Sequence, residues 1–405
     1  MGGLGARRRA GWEEPLGFPP VRAVIDARPA LDPRRTGVGV YTQQLIRHLP
    51  HMDQGSEYVA WYLHAKGLLR PRRFFDSVSA PNLSERASRF PARVFEPLSS
   101  RLSRPRVEWS VDFDVLLATN FLPPATRSPG VVMVVHDLAY EQLPETAPHV
   151  NARWRRRFDQ WLGEAAGVLV PSESTRRDLL AAHPVEPGRI TVTPLGVDAE
   201  AYAPVPPAAI DAVLQRFGVD GRYALFVGGI EPRKNLEALV RAFATLAPGT
   251  RLVIAGGPVR WDPKAADRLD TAIAELPAAA RARVVRTGYV SDKDKVALLS
   301  GATMLAYPSL YEGFGFPVLE GFAAGIPVLT SDVASLPEVA GDAAVLVDPH
   351  DEAAIANGID QIFGDPDLRA MLSAAGVARA SHFTWETTAK KTAEALHRAH
   401  GLVAG

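Results

Sequence analysis

Short apolar runs rich in β-branched residues alternate with amphipathic stretches of helical period along most of the chain. Continuous apolar runs followed by helices are typical of parallel strands that are buried on both faces of a sheet. Two successive series of this kind predict two doubly wound α/β domains. The predicted strands are 22–27, 57–63, 114–118, 131–137, 167–172 and 189–195 in the first half, and 223–229, 251–257, 283–290, 303–309, 326–331 and 343–348 in the second.

A proline-rich segment, YAPVPPAAI at 202–210, separates the two halves. Neither a strand nor a helix runs easily through clustered prolines, so we predict a first domain over 21–203 and a second over 204–382. Helical signals return with DAVLQRF, from Asp211. A closing helix is predicted over 383–405, with Thr384 as its N-cap. Residues 1–20 lack an apolar run of signal-peptide length and are predicted to be a flexible leader.

Composition narrows the class of protein. The 405 residues exceed the size at which one core usually keeps growing, and 47% hydrophobic with 22% charged residues is ordinary for a soluble protein. The formal net charge is zero, so no overall field attracts nucleic acid. The chain has no cysteine, which excludes disulfides and thiolate zinc sites and fits the cytoplasm. No window approaches the roughly 20 apolar residues of a membrane span, so we expect a soluble or peripheral protein.

The segment 66–108 departs from the alternating pattern. It is rich in Arg, Pro and aromatic residues, as in RPRRFF, and has little periodicity. Two interpretations remain open: the segment lies against an anionic membrane or a phosphorylated acceptor, or it is an irregular surface excursion with solvated arginines.

Ligands of open α/β sheets bind beyond the carboxyl ends of the strands, so the residues after each strand are the candidates for a site. In the first half, Gly37 and Gly39 precede a predicted helix, either as an anion-binding loop or as a tight turn. His136 and Asp137 end a buried strand, where a histidine either contacts substrate or is structural.

In the second half, Gly229 ends the first strand, and Arg233 and Lys234 precede a helix that Asn235 could cap. Two cations at a helix start oppose the helix dipole. Their placement becomes favourable when an anion lies between them and the helix, so we predict a phosphate ligand.

The segment EGFGFPVLEGFAAG, from Glu312, combines a glycine loop with a helix predicted to begin near Pro317. Glu320 is predicted in the first turn, and backbone amides near Phe316, Val318 and Leu319 are predicted to cradle a phosphate. A carboxylate also binds the paired hydroxyls of a sugar. A phosphate cradle beside carboxylates indicates a nucleotide sugar.

These motifs resemble the retaining glycosyltransferases of family 4 over nearly the whole chain from Arg22. The most specific mark is the E-G-F-G-x-P-x-x-E pattern from Glu312 to Glu320. TGVGVY, HDLAY, VPSESTRRDL, PLGVD and the Arg-Lys-Asn run at 233–235 support it. The resemblance implies the GT-B architecture, in which two Rossmann-like domains face each other across a cleft and the C-terminal helix crosses back to the first domain.

The resemblance also implies roles for matching residues. Glu312 would bind donor-sugar hydroxyls, Glu320 the ribose, and Arg233 with Lys234 the diphosphate, while His136 would contact the donor sugar near the reaction centre. Further donor contacts are implied for Gly37, Gly39, Gly229, Val290, Gly313, Phe314, Gly315, Val318 and Leu319, and acceptor-side contacts for Asp137 and Tyr41.

A departing nucleoside diphosphate needs compensating positive charge from a metal or from fixed cations and dipoles. Arg233, Lys234 and a helix N-terminus would supply it, so neither a metal nor another cofactor is predicted. The Asp-x-Asp triplets beginning at Asp112, Asp292 and Asp365 are interpreted as capping and turn residues. The family retains anomeric configuration by same-face substitution, in which the leaving phosphate helps to deprotonate the acceptor.

The donor predicted from the resemblance is GDP-mannose, because the motifs look most like the mannosyltransferase-rich branch of surface-polysaccharide synthesis. The acceptor would be a glycan, a lipid-linked glycan or a small molecule, and the location cytoplasmic, either free or peripheral at the membrane. The alternatives are a UDP-hexose-dependent transferase, a sugar-nucleotide 2-epimerase of the same architecture and a non-enzymatic sensor. The sequence makes no prediction of the oligomeric state.

Overall fold

A computed structural model describes residues 18–32, 36–63, 75, 78, 80–88, 106–147, 150–259 and 261–404. Most of the predicted leader and much of the segment 66–108 lie outside the described residues. The described strands are β1 Arg22–Asp26, β2 Glu57–Leu63, β3 Leu83–Ser88, β4 Val115–Ala118, β5 Val131–Val134, β6 Gly167–Val170, β7 Ile190–Val192, β8 Arg222–Val227, β9 Thr250–Ala255, β10 Val284–Gly288, β11 Met304–Tyr307, β12 Val328–Ser331 and β13 Val345–Val347.

The described α-helices are α1 Gly37–Met52, α2 Ala139–Gln142, α3 Ala152–Glu164, α4 Glu173–Ala182, α5 Pro207–Phe217, α6 Leu236–Ala244, α7 Lys264–Glu275, α8 Ala278–Arg281, α9 Asp292–Gly301, α10 Phe316–Ala323, α11 Leu336–Ala340, α12 Glu352–Gly364, α13 Pro366–Ala380 and α14 Trp385–Ala404. None of them is long and apolar enough to cross a membrane.

The strands form two parallel sheets. The first has the order β3-β2-β1-β4-β5-β6-β7, and the second has the order β10-β9-β8-β11-β12-β13. In both sheets the order reverses beside the first strand, so the loops after β1 and β4 are neighbours, as are those after β8 and β11. Such reversal points are where ligands bind in doubly wound sheets.

All twelve predicted strands are present, but most are one to three residues shorter than predicted. No strand was predicted within 66–108, but Leu83–Ser88 forms the edge strand β3 against β2, so the interpretation as an irregular surface excursion does not hold for these six residues. The sequence LSERAS is not an apolar run, because an edge strand with an exposed face needs fewer apolar residues.

The linker between the sheets contains a 3-10 turn at Ala199–Tyr202 and then α5, which begins at Pro207. The helix begins four residues before the predicted Asp211, because proline is tolerated in the first helical turn. The predicted boundary between 203 and 204 falls in this linker and stays a prediction.

The C-terminal helix α14 packs on α1 and on β4 to β7, so it crosses back to the first sheet as the resemblance implied. Thr384 caps it, as predicted, by accepting a hydrogen bond of 3.1 Å from the amide of Thr387. Inside this interface His397 Nε2 lies 2.8 Å from Asp53 Oδ2. Hydrogen bonds and the charge of His397 outweigh the effect of burial and lower the pKa of Asp53.

Candidate active site

The second sheet brings the two predicted cations against Glu312. Strand β8 is followed by a 3-10 turn at Pro232–Lys234, and Glu312 follows the neighbouring strand β11. Arg233 Nη1 lies 2.7 Å from Glu312 Oε2, and Lys234 Nζ lies 2.5 Å from Glu312 Oε1. Glu312 and Lys234 are each 7% exposed. Three predicted site residues therefore form one buried ion cluster.

Two further side chains fix the carboxylate of Glu312. Oε1 accepts hydrogen bonds of 2.8 Å from both Tyr307 Oη and Ser309 Oγ, in addition to the one from Lys234. Oε2 accepts one hydrogen bond, from Arg233. Oε2 is therefore the oxygen with remaining capacity for a ligand hydroxyl. Tyr307 and Ser309 were not predicted, although both lie at the end of a predicted strand.

The charges of the cluster balance, because Glu231 Oε2 lies 3.1 Å from Arg233 Nε and adds a second acid. Burial would raise the pKa of Glu312, but Arg233 and Lys234 outweigh burial and lower that pKa to about 2. Burial would lower the pKa of Arg233, but Glu231 and Glu312 raise it. Burial and the neighbouring guanidinium lower the pKa of Lys234. The carboxylate of Glu312 is therefore ionised and strongly held at neutral pH.

The loop after Glu312 presents a row of unused donors. Gly315 has a φ of 104°, which glycine adopts without strain, and α10 begins at the next residue. Within the described ranges, the amides of Gly313, Phe314, Gly315 and Phe316 donate to no protein acceptor. Consecutive free amides at a helix start favour binding of an anion or a sugar hydroxyl.

The predicted amides of Val318 and Leu319 are not free. They donate to the carbonyl oxygen of Gly315, at 3.0 and 3.4 Å, because the helix has already begun and its first turn is closed. The prediction that these two amides form the cradle is therefore wrong, and the row of free amides at residues 313–316 takes that place.

Gly313 also touches the first domain. A Cβ built at this position would lie 1.8 Å from the carbonyl oxygen of His136, a distance that no side chain tolerates. The carbonyl oxygen of Gly313 accepts hydrogen bonds from Ser172 Oγ at 2.7 Å and Thr175 Oγ1 at 3.0 Å. The loop predicted to bind the donor thus lies against the strand end that carries His136.

The start of α4 makes a second contact between the domains. The carboxylate of Glu338 accepts hydrogen bonds from the amides of Glu173 and Ser174, at 3.0 and 3.1 Å. Tyr311 Oη donates to Asp178 Oδ2 at 2.7 Å. The motif SESTRRDL, which contributed to the resemblance, therefore contacts the second domain.

Glu320 lies in the second turn of α10, not in the first turn as predicted, because the helix begins at Phe316. It is 3% exposed, and its Oε1 accepts hydrogen bonds of 2.5 Å from Tyr202 Oη and from Lys295 Nζ. Burial and the charge of Glu320 raise the pKa of Tyr202, so its hydroxyl stays protonated and donates. The sequence pointed to neither partner, since Tyr202 lies in the linker and Lys295 in an ordinary charged helix.

We expect Tyr202→Phe to weaken binding of a nucleoside diphosphate by about tenfold, because Glu320 loses a charge-assisted hydrogen bond that fixes its orientation. Binding of inorganic pyrophosphate, which has no ribose, should not change. Calorimetry with both ligands measures this difference. Tyr140→Phe is the matched control, because the buried hydroxyl of Tyr140 has no hydrogen-bond partner in the described structure. Equal weakening for both ligands would contradict the assignment.

His136 is held by the first domain. Its Nε2 lies 2.7 Å from the carbonyl oxygen of Thr119. Since a carbonyl oxygen only accepts, Nε2 carries the proton. Burial lowers the pKa of His136, so the ring is neutral at neutral pH and Nδ1 is its available acceptor.

The two predicted acceptor-side residues lie differently. Tyr41 is 1% exposed and its ring packs edge-on against His136, with centroids 5.2 Å apart. In this conformation Tyr41 packs against His136 and is too buried to touch an acceptor. The predicted direct contact of Tyr41 with an acceptor is therefore contradicted. Asp137 is half-buried, and its Oδ1 accepts a hydrogen bond of 3.1 Å from the amide of Ala139 at the start of α2.

The remaining predicted glycine and backbone positions lie at strand ends or at a helix start. Gly37 and Gly39 are inside the first turn of α1, and the amide of Gly39 donates to its N-cap, Thr36, at 3.2 Å. That amide is therefore occupied, contrary to the prediction. Gly229 follows β8, and the half-buried Val290 follows β10.

The capping prediction for the Asp-x-Asp triplets is confirmed for Asp365, which caps α13. Asp292 and Asp294 lie in the first turn of α9, whose N-cap is Ser291. Asp114 has a different role, because it accepts a hydrogen bond of 2.7 Å from the amide of the distant Arg22. Among the described residues, no three His, Asp or Glu side chains group closely enough to hold a metal ion.

Comparison with known proteins assigns the family. The family model described as Glycosyl transferases group 1 matches residues 215–379, and the model described as Glycosyltransferase Family 4 matches residues 35–201. The chain is 31% identical over 379 residues to O-antigen chain mannosyltransferase B of Escherichia coli, covering 89% of this chain and 95% of the relative. It is 33% identical over 247 residues to D-inositol 3-phosphate glycosyltransferase of Mycobacterium bovis, covering 60% of this chain and 50% of the relative.

Solved structures share the fold. Sucrose-phosphate synthase from Thermosynechococcus elongatus has a TM-score of 0.70 at 21% identity, covering 92% of this chain and 97% of that one. HepE of Anabaena, in complex with UDP and glucose, has a TM-score of 0.69 at 18% identity, covering 92% and 98%. The chain therefore belongs to the family 4, group 1 glycosyltransferases and has the GT-B architecture of two facing α/β domains.

Proposed function

We propose that this enzyme is a retaining hexosyltransferase that moves a sugar from a nucleotide-sugar donor to an acceptor hydroxyl. The observation that carries the proposal is the buried cluster of Arg233, Lys234 and Glu312 next to the free amides of residues 313–316. Cations and unused donors on one rim, at the reversal point of a parallel sheet, suit a ligand that combines a diphosphate with hydroxyl groups.

The donor would extend along the second domain. The diphosphate would meet Arg233 and Lys234, while the sugar hydroxyls would meet the amides of residues 313–316 and Oε2 of Glu312. The carboxylate of Glu320, oriented by Tyr202, would bind the ribose, and backbone groups near Val290 would meet the nucleobase.

Catalysis would depend on charge compensation at the leaving diphosphate. Fixed cations and oriented amides stabilise such charge without reorganising during the reaction. We therefore propose that transfer requires no metal ion. The departing phosphate would accept the proton of the acceptor hydroxyl on the same face of the sugar, while Nδ1 of His136 would accept a hydrogen bond from the donor sugar.

We favour GDP-mannose as the donor, and a glycan or lipid-linked glycan as the acceptor. The 31% identity to O-antigen chain mannosyltransferase B over most of the chain supports both choices. The enzyme would work in the cytoplasm. Contact of the segment 66–108 with the membrane surface stays a prediction, since most of that segment lies outside the described residues.

A thermal-shift panel of GDP-, UDP-, ADP- and dTDP-sugars tests the donor. We expect GDP-mannose at about 100 times its Kd to stabilise the protein by about 2.7 kcal/mol, and the other nucleotide sugars at the same concentration to stabilise it less. We also expect sugar transfer to continue in EDTA. A larger shift with a UDP-hexose would replace GDP-mannose as the donor. Consumption of a UDP-sugar without an acceptor would favour the 2-epimerase, and no shift with any nucleotide sugar would overturn the proposal.

A further inference from the structure

The free amides of residues 313–316 belong to peptide units whose carbonyl groups have partners elsewhere in the protein. In a trans peptide unit the carbonyl group and the amide of the following residue point in opposite directions. A partner that fixes the carbonyl oxygen of one residue therefore also fixes the direction of the next residue's amide.

Two of these carbonyl groups are held within the second domain. Ser335 Oγ donates a hydrogen bond of 2.8 Å to the carbonyl oxygen of Glu312, which fixes the amide of Gly313. Ser335 is fully buried and precedes α11, but its hydroxyl does not cap that helix. The carbonyl oxygen of Gly315 accepts hydrogen bonds from amides in the first turn of α10, which fixes the amide of Phe316. The second domain thus directs the amides of Gly313 and Phe316 by itself.

The carbonyl group of Gly313 is held by the first domain instead. The hydroxyls of Ser172 and Thr175, both fully buried, donate to this oxygen at 2.7 and 3.0 Å. The oxygen can accept both hydrogen bonds, because a carbonyl group has two lone pairs. Ser172 Oγ also caps α4 by accepting a hydrogen bond of 3.0 Å from the amide of Thr175. The amide of Phe314 therefore points away from these two hydroxyls and is held in that direction from the other domain.

The first turn of α4 carries this contact and a second one between the domains. The carboxylate of Glu338 accepts hydrogen bonds from the amides of Glu173 and Ser174 beside it. Because both contacts involve the same helical turn, separation of the domains would break them together. The direction of the Phe314 amide therefore depends on contact between the two domains.

We propose that Ser172 and Thr175 are positioning residues of the donor site, and that they aim the amide of Phe314 at the donor sugar while the domains are in contact. The proposal rests on the proposed function, in which the sugar hydroxyls meet the free amides and the diphosphate meets Arg233 and Lys234. An amide whose direction is fixed in advance does not have to be ordered by the ligand, so it binds the ligand more tightly. Loss of the two hydroxyls should therefore weaken binding of the sugar but not of the diphosphate.

Calorimetric titration with two pairs of ligands, GDP-mannose with GDP and UDP-glucose with UDP, tests the proposal. We expect the double variant Ser172→Ala with Thr175→Val to bind the preferred nucleotide sugar about tenfold more weakly than the wild-type protein does. Its affinity for the corresponding nucleoside diphosphate, which has no sugar to meet the amide of Phe314, should not change. The result would locate the defect at the sugar.

Single variants separate the hydroxyl from the helix cap. Thr175→Val leaves the cap by Ser172 and one hydrogen bond to Gly313, so its loss of nucleotide-sugar affinity should be smaller than that of the double variant. Thr175→Ser keeps a hydroxyl and should restore the wild-type affinity. Thr146→Val is the matched control, because it removes a buried threonine hydroxyl that donates at 2.8 Å to a carbonyl oxygen of its own domain, that of Leu143.

Three results would overturn the proposal. The first is wild-type affinity for the nucleotide sugar in the double variant. The second is equal weakening for the nucleotide sugar and the nucleoside diphosphate, which is expected if the hydroxyls only pack the domains together. The third is Thr175→Ser binding as weakly as Thr175→Val. If the wild-type protein bound neither nucleotide sugar, the proposed function itself would be wrong, and this proposal with it.

Discussion

Lys234→Met lowers kcat for sugar transfer by about 10²- to 10³-fold, the effect expected when one preorganised donor to a developing anion is removed. The ammonium group is 7% exposed and lies 2.5 Å from Glu312 and 2.6 Å from Tyr307 Oη, so it cannot be replaced by water without rearrangement. Methionine keeps most of the volume but removes the charge. Steady-state kinetics with the preferred donor measures the loss, and calorimetry with GDP and UDP measures nucleotide binding.

The control for this variant is Lys264→Met, because Lys264 is exposed at the start of α7 and lies outside the proposed site. Its kinetics should match those of the wild-type protein. Unchanged affinity for both nucleotides in Lys234→Met and also in Glu320→Ala would show that the donor site has been assigned to the wrong residues.

Glu312→Gln destabilises the protein by about 3–5 kcal/mol, because Arg233 and Lys234 are left buried with reduced compensation. For a domain of about 150–250 residues this corresponds to a fall in melting temperature of about 6–20 °C. Glu352→Gln is the control, since Glu352 forms an exposed ion pair with Arg241 and should contribute at most about 1 kcal/mol. A change in Glu312→Gln no larger than in the control would contradict the compensating role of Glu312.

A double substitution separates charge compensation from packing. Lys234→Met combined with Glu312→Gln removes one charge of each sign, so the loss of stability should be smaller than the sum of the two single losses. Direct contacts of this kind usually give interaction energies of about 0.5–3 kcal/mol. Additive losses would mean that the two side chains stabilise the site independently.

The same carboxylate predicts an acid dependence of stability. Its pKa in the folded protein is about 2, against 4.5 for an ordinary glutamate. Because the folded pKa is lowered, this contribution is fully present above pH 4.5 and is lost as the pH falls from 4.5 towards 2. Urea unfolding across this range should therefore show a steeper loss of stability in the wild-type protein than in Glu312→Gln.

Much of the fold was predictable, since buried parallel strands are continuous apolar runs whatever their place in the sheet. The strand ends were predicted too long because apolar residues continue past the last paired residue into the loops, as at β5 before His136. β3 was missed because its six residues are mostly polar, and only its pairing with β2 identifies it.

The sequence identified several residues of the candidate site, but not the contacts that they make with one another. Motif residues Glu312, Arg233 and Lys234 were identified from short patterns, yet their mutual contacts join positions 78 or 79 apart. Tyr202 reaches Glu320 across 118 residues and belongs to no recognised pattern. The free amides at 313–316 depended on where α10 begins, and a shift of one residue changes which donors are available.

The amino-acid sequence established the two α/β domains, the positions of twelve strands and the segments after them. The apolar runs and helical periods that predict these elements extend over only a few neighbouring residues, so they can be read locally. The tertiary structure decided which of those segments meet. β8 lies beside β11, so the loop carrying Arg233 and Lys234 meets Glu312. Strand order and helix packing arise from contacts distant in the chain, which no local pattern of residues specifies.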